Sequence, residues 1–116
     1  MSLKDDHLNE NEEIKQILEL ISPSNELDLD QANRSDVPPA LKFTTFSSIA
    51  ALNLSKNSLN ALDPQVLLNL PNLCRLDLSN NRLVTLPPTL AAPRKLASLQ
   101  LDNNRLQYLP DEVGEM

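Results

Sequence analysis

Glycine is almost missing from this sequence: Gly114 is the only one among 116 residues. A loop that cradles phosphate needs glycines where the backbone closes on the ligand, so nucleotide-binding loops are excluded. Cysteine is as scarce. Cys74 stands alone, which rules out an intrachain disulfide, and together with the single histidine, His7, it cannot supply a zinc site of the usual kind. A Cys–His nucleophilic pair fails as well, because His7 lies in a polar tail expected to be disordered over residues 1–8. Tryptophan is absent and aromatic residues make up 3% of the chain. Long apolar runs are missing too: "MSLKDDHLNENEE" has no signal-peptide core, and no segment reaches membrane-spanning length. The expectation is a protein without cofactor, metal or catalytic constellation, not an enzyme, placed in the cytoplasm.

Basic charge is also in short supply. The formal net charge is −6, and it is uneven: −7 up to Asp36 and +1 from Val37 onward. No basic stripe exists for phosphates, so nucleic acid is excluded as a partner.

What the sequence does have is leucine at fixed intervals. The segments "IAALNLSKNSLNAL" from Ile49, "LCRLDLSNNRLVTL" from Leu73 and "LASLQLDNNRLQYL" from Leu96 align without a gap, with starts 24 and 23 residues apart. All three read L-x-x-L-x-L-x-x-N-x-L-x-x-L, with Ile49 the one replacement at a leucine position. A degenerate copy lies 25 residues before the first, with Leu27, Leu29 and Val37 in place and Ala32 where the asparagine belongs. The pattern resembles the leucine-rich repeat family over Asn25 to Met116.

Leu76 and Leu78, two apart, share one face of a short strand, and Leu83 and Leu86 return to the same interior after a turn. Each repeat is then one coil with leucines pointing inward, and coils must stack to bury their flat sides. Asn57, Asn81 and Asn104 fall where the chain leaves the strand. An amide side chain donates and accepts, so these three are assigned a structural role as a ladder serving the backbone of the bends. On the far side, "VPPAL", "LDPQV", "LPPTL" and "LPDEV" place proline at the start of short helical or 3₁₀ turns, closed inward by Leu41, Val66, Leu90 and Val113. Phe46, Leu70 and Pro93 in the spacers complete the predicted core. The fold class is α/β: a short leucine-rich-repeat solenoid with a parallel concave sheet and convex short turns.

Residues 1–24 form an acidic tail and a capping helix, and residues 25–116 carry one degenerate and three regular repeats. Ile14, Ile17, Leu18 and Ile21 mark the helix stripe, with Asn11 as N-cap and Ser22-Pro23 as the stop. At the other end the inner leucines of the last coil lack a following frame. Three arrangements fit: the chain is the amino-terminal fragment of a longer repeat protein, a partner or second copy covers that end, or the "DEVGEM" turn suffices. Self-association through the uncapped end is therefore one expectation.

With chemistry absent, function falls to surface. The candidate protein-binding residues are the outward positions of the strands: Glu26, Asp28, Asp30, Asn53, Ser55, Arg75, Asp77, Ser79, Ser98, Gln100 and Asp102, with Ala51 among them. They form an acidic polar grid with Arg75 as its one base, suited to a protein partner with a basic surface. Tyr108 is the aromatic expected near that grid, and Cys74, aligned with Ala50 and Ala97, is expected to be a buried, unreactive thiol. "LPDEVGEM" is similar to the LPxEIGxL form of intracellular Ras-suppressor, Ras-scaffold and LAP-type repeats. That resemblance implies scaffolding or regulation, with small GTPases or phosphatase catalytic subunits among the partners such repeats bind.

Overall fold

The computed structural model describes residues 9–110. The expectations for residues 1–8 and for Val113 and the "DEVGEM" turn lie outside that range. The described chain runs α1 (Glu10–Leu20), β1 (Glu26–Asp28), α2 (Ala40–Phe43), β2 (Ala51–Asn53), α3 (Pro64–Leu68), β3 (Arg75–Asp77), a 3₁₀ turn (Pro88–Ala91) and β4 (Ser98–Gln100). The strands make one parallel sheet in the order β1-β2-β3-β4. Registry keeps repeat equivalents side by side: Leu27 beside Leu52, Leu52 beside Leu76, Leu76 beside Leu99. This is the α/β solenoid that the leucine spacing implies.

A single hydrophobic core runs the length of the stack. Leu52, Leu54, Leu59, Leu76, Leu78 and Leu83 are essentially sealed from solvent. At roughly 1.5–3 kcal/mol for each fully buried leucine, stacking is the dominant stabilising term. Leu41, Val66 and Leu90 close the coils from the convex side, and Phe46, Leu70 and Pro93 fill the spacers.

The convex turns are capped in different ways. Asp63 begins α3 with Pro64 at the first helical position, and its Oδ1 accepts from Gln65 N–H at 2.8 Å. Pro39, which begins α2, has no side chain for the task. The cap comes from another element: Glu13 of α1 is buried, and its Oε1 accepts the backbone N–H of Ala40. The helix that covers the first coil thus also finishes that coil's convex turn.

Helix α1 differs in two details from the sequence expectation. Its N-cap is Asn9, not Asn11: Asn9 Oδ1 accepts from Glu12 N–H at 2.8 Å while Asn9 Nδ2 donates to Glu12 Oε1 at 2.9 Å. That reciprocal pair starts the helix two residues earlier and leaves Glu10, Glu12 and Glu13 in its first turn. Glu13 and Ile17 are buried, with Ile14, Leu20 and Ile21 half-buried against the core beside them, whereas Leu18 is 53% exposed. At 100° per residue Leu18 points well off the axis through Ile17, while Leu20 comes back within reach of it.

Four equivalent bends leave the strands with positive φ, and no glycine occupies them. Gln31 (51°), Lys56 (57°), Asn80 (57°) and Asn103 (58°) each sit one residue before the ladder position. Asparagine tolerates this left-handed region, while lysine and glutamine are strained there.

Candidate functional site

The ladder that shapes these bends has a direction. Asn81 Nδ2 donates to Leu78 O (3.1 Å) and Ser79 O (3.2 Å) in its own coil and to Leu54 O (2.9 Å) in the coil before, and its Oδ1 accepts from Leu59 N–H (3.1 Å). Asn104 repeats the scheme on Leu78 O and Leu83 N–H. Asn57 serves Leu29 O and accepts from Ala32 and Arg34 N–H. Each amide completes its own bend and the preceding one. Among the described residues no strand precedes the first coil in the sheet, so Ala32 leaves no described upstream bend unserved.

The registry lays the outward side chains in rows across the concave face. Glu26, Ala51, Arg75 and Ser98 form one row, and Asp28, Asn53, Asp77 and Gln100 the next. A depression of about 200 Å³ lies between them, lined by Glu26, Asn53, Arg75, Asp77, Ser98 and Gln100 around a floor of Ala51, Leu52 and Leu76. Ala51 is itself covered, so the smallest side chain of the first row marks the hollow. Asp28 and Asp102 are exposed outside the lining and Asp30 is half-buried.

Ser55 and Ser79, expected on the surface, are buried at 6% and 7% exposure. The cause is the turn that ends each strand. Asn53 Oδ1 accepts from Ser55 N–H at 3.0 Å, and Asp77 Oδ1 accepts both Ser79 N–H (3.0 Å) and Ser79 Oγ–H (2.6 Å). Asp28 does the same for Asp30 N–H at 3.2 Å. These side chains fold the backbone over the following residue and draw it out of reach of a partner.

The same bonds redistribute the charge. Asp77 is occupied by Ser79 through Oδ1, and turning the Gln100 amide so that its nitrogen faces Asp77 lets it donate to Oδ2 at 2.8 Å. Among the described residues, three acids of the face stand without a base on the first strand and its exit: Glu26, Asp28, which holds Asp30 N–H, and Asp30, which accepts from Gln31 Nε2. The exposed Asp102 lies past β4. The Asp28 carboxyl is held above its ordinary value, first by partial loss of hydration and then by the like charges of Asp30 and Glu26. Two strands away stands Arg75. Its backbone N–H donates to Ala50 O, but among the described residues its guanidinium has no ion pair or hydrogen bond, while Lys42 bridges Asp36 and Asp63 on the convex side. Three acids stand at the β1 edge, Asp102 lies beyond β4, and Arg75 is the cation between them.

Tyr108 is not near that face. It lines a separate, mainly apolar groove of about 460 Å³ with Leu62, Pro64, Leu86, Pro88 and Pro110. The residue, 64% exposed, stands at the end of a row through Thr85 and Ala61 of earlier coils. The stacked prolines of the convex echo were the sequence signal for this groove. Cys74 is half-buried rather than sealed, its thiol 3.4 Å from Asn72 O. No group of three or more metal-binding side chains occurs among the described residues, and no described helix is long and apolar enough to cross a membrane.

The model of the family described as "Leucine rich repeat" matches residues 25–83 and 47–106. The chain belongs to the leucine-rich repeat family. Comparison with curated proteins finds no match. Leucine-rich repeat domains generally mediate protein–protein interaction, and the first matched segment opens at Asn25, one residue before β1 of this repeat domain.

Proposed function

We propose that this leucine-rich repeat chain is a non-catalytic interaction module that presents its concave face to a protein partner with a basic surface. The supporting observation is the concentration of Glu26, Asp28 and Asp30 at one edge of a rigid sheet, unpaired with any base in the described residues. A stacked sheet holds such side chains with little loss of freedom on binding, and an acidic edge speeds encounter with positive surfaces. Scaffolding or regulation in the cytoplasm is the setting we propose, with small GTPases and phosphatase subunits as family-suggested partners.

The test is affinity capture from lysate with wild type and the double variant Glu26→Lys, Asp30→Lys, after melting curves show both to be folded. Asp28 and Asp77 are left in place because they cap turns. A protein retained by wild type and lost by the variant supports the reading; equal retention overturns it. A second reading rests on β4, whose strand Ser98–Gln100 carries no charge and whose outer edge pairs with no described strand. Pairing of two copies along it predicts a dimer by sedimentation, and a monomer at high concentration removes it.

A further inference from the structure

Resting on the concave-face reading above, we propose that the groove recognises a partner segment carrying an acidic side chain and a basic side chain about 10 Å apart. The acid meets Arg75 and the base meets Glu26. Both anchors lie in one row, joined through Ala51: Glu26 pairs in register with Ala51, and Ala51 with Arg75. Two strand spacings of about 4.8 Å separate them. A segment lying across the strands covers that span, with both side chains on one face, in three residues as a polyproline II helix, at roughly 3.1 Å each, or in seven as an α-helix, at about 1.5 Å each.

Three observations on the face favour this occupant. Among the described residues the Arg75 guanidinium has no carboxylate partner: Asp77 on its own strand holds Ser79 through Oδ1, and with the Gln100 amide turned nitrogen-inward it also holds Gln100 through Oδ2. A guanidinium takes a carboxylate through two parallel N–H bonds, so a partner's Asp or Glu supplies what the chain withholds. Next, the hydroxyl of Ser98 lines the groove beside Arg75 and adds a neutral donor to the acid's end. Finally, Ala51 leaves room between the two anchors for the partner's backbone, where every other residue of these rows carries a polar or charged side chain. A uniformly basic partner would set one of its charges against Arg75; a segment of mixed sign satisfies both ends.

The experiment is selection from a random linear peptide library on phage, run against wild type, Arg75→Glu and Ala51→Leu, with capture from lysate in parallel. Wild type is expected to enrich peptides with an acid and a base three or seven positions apart. Arg75→Glu should replace the acid by a second base, and Ala51→Leu, which leaves all charges intact, should cut enrichment at least tenfold. Peptides without a fixed acid–base interval, or the same peptides on Arg75→Glu, overturn the proposal. If capture is lost in the Glu26→Lys, Asp30→Lys variant but unchanged in Arg75→Glu, the concave-face reading stands and the paired-charge inference falls. If capture survives both, both fall.

Discussion

The two ends of this solenoid hold the same kind of residue in different states. At the amino-terminal end Leu27 is completely buried and Leu29 nearly so, because α1 lays Ile17 into the core beside the first coil. At the other end Leu99, Leu101 and Leu106 are only partly buried, although their equivalents one coil earlier, Leu76, Leu78 and Leu83, are at 0–1% exposure. Every one of these residues is leucine. What separates them is the neighbour, a helix on one side and no described strand on the other, and the lesson is that a coil's stability belongs to its stacking more than to its own residues.

Mutations can break that comparison. Leu76→Ala should cost about 3 kcal/mol and Leu99→Ala only about 1 kcal/mol, since one opens a cavity and the other trims a wetter surface. Equal losses in chemical denaturation would show that the last coil is as well packed as the interior. Next in size, Asn81→Ala should cost about 2–3 kcal/mol by leaving the N–H of Leu59 and several carbonyls unserved. Ala32→Asn should gain nothing measurable, and a clear gain would mean that the ladder does not point backward. Glu13→Ala should cost about 1 kcal/mol through the lost cap on α2, with Glu13→Gln, which keeps an acceptor, recovering most of it in thermal melts.

Two smaller effects sharpen the picture. Lys56→Asn should raise stability by about 1 kcal/mol, because asparagine accepts the left-handed bend that its equivalents Asn80 and Asn103 already occupy. Asp28→Asn keeps the turn acceptor and removes a carboxylate whose pKa is raised in the fold. A raised carboxyl binds more protons folded than unfolded, so its charge destabilises as pH rises through the window above the ordinary value. The variant should therefore melt slightly higher than wild type at neutral pH, with the gap closing in acid. A gap that widens toward acid would assign the opposite sign.

The fold was legible because it is written in one dimension. Leucine and asparagine recur at the same offsets, and every offset maps to one place in the coil. The parts that were not legible depend on contacts between side chains off that period. Glu13 sits in an acidic helix start, a feature well explained by the helix dipole, and nothing near it in sequence points to Ala40, 27 residues on. Ser55 and Ser79 have outward alternation, yet the Asx turns of Asn53 and Asp77 override it within two residues. Leu18 and Leu20 differ by their angle about α1, which a stripe count cannot rank. The eleven candidate site residues split the same way: strand positions were placed by period, while the charge each one leaves free was decided by hydrogen bonds.

The backward reach of the asparagines bears on how such a chain emerges during synthesis. A ribosome releases the amino-terminal part first, at some 5–20 residues per second. Asn57 follows Leu29, whose carbonyl it holds, by 28 residues, and Asn81 follows Leu54 by 27. Each bend therefore waits a few seconds for the amide that closes it, while α1 and Glu13 are already outside to cover the first. Assembly advances like a zip with its stop sewn at the leading end, and the newest tooth is always the open one.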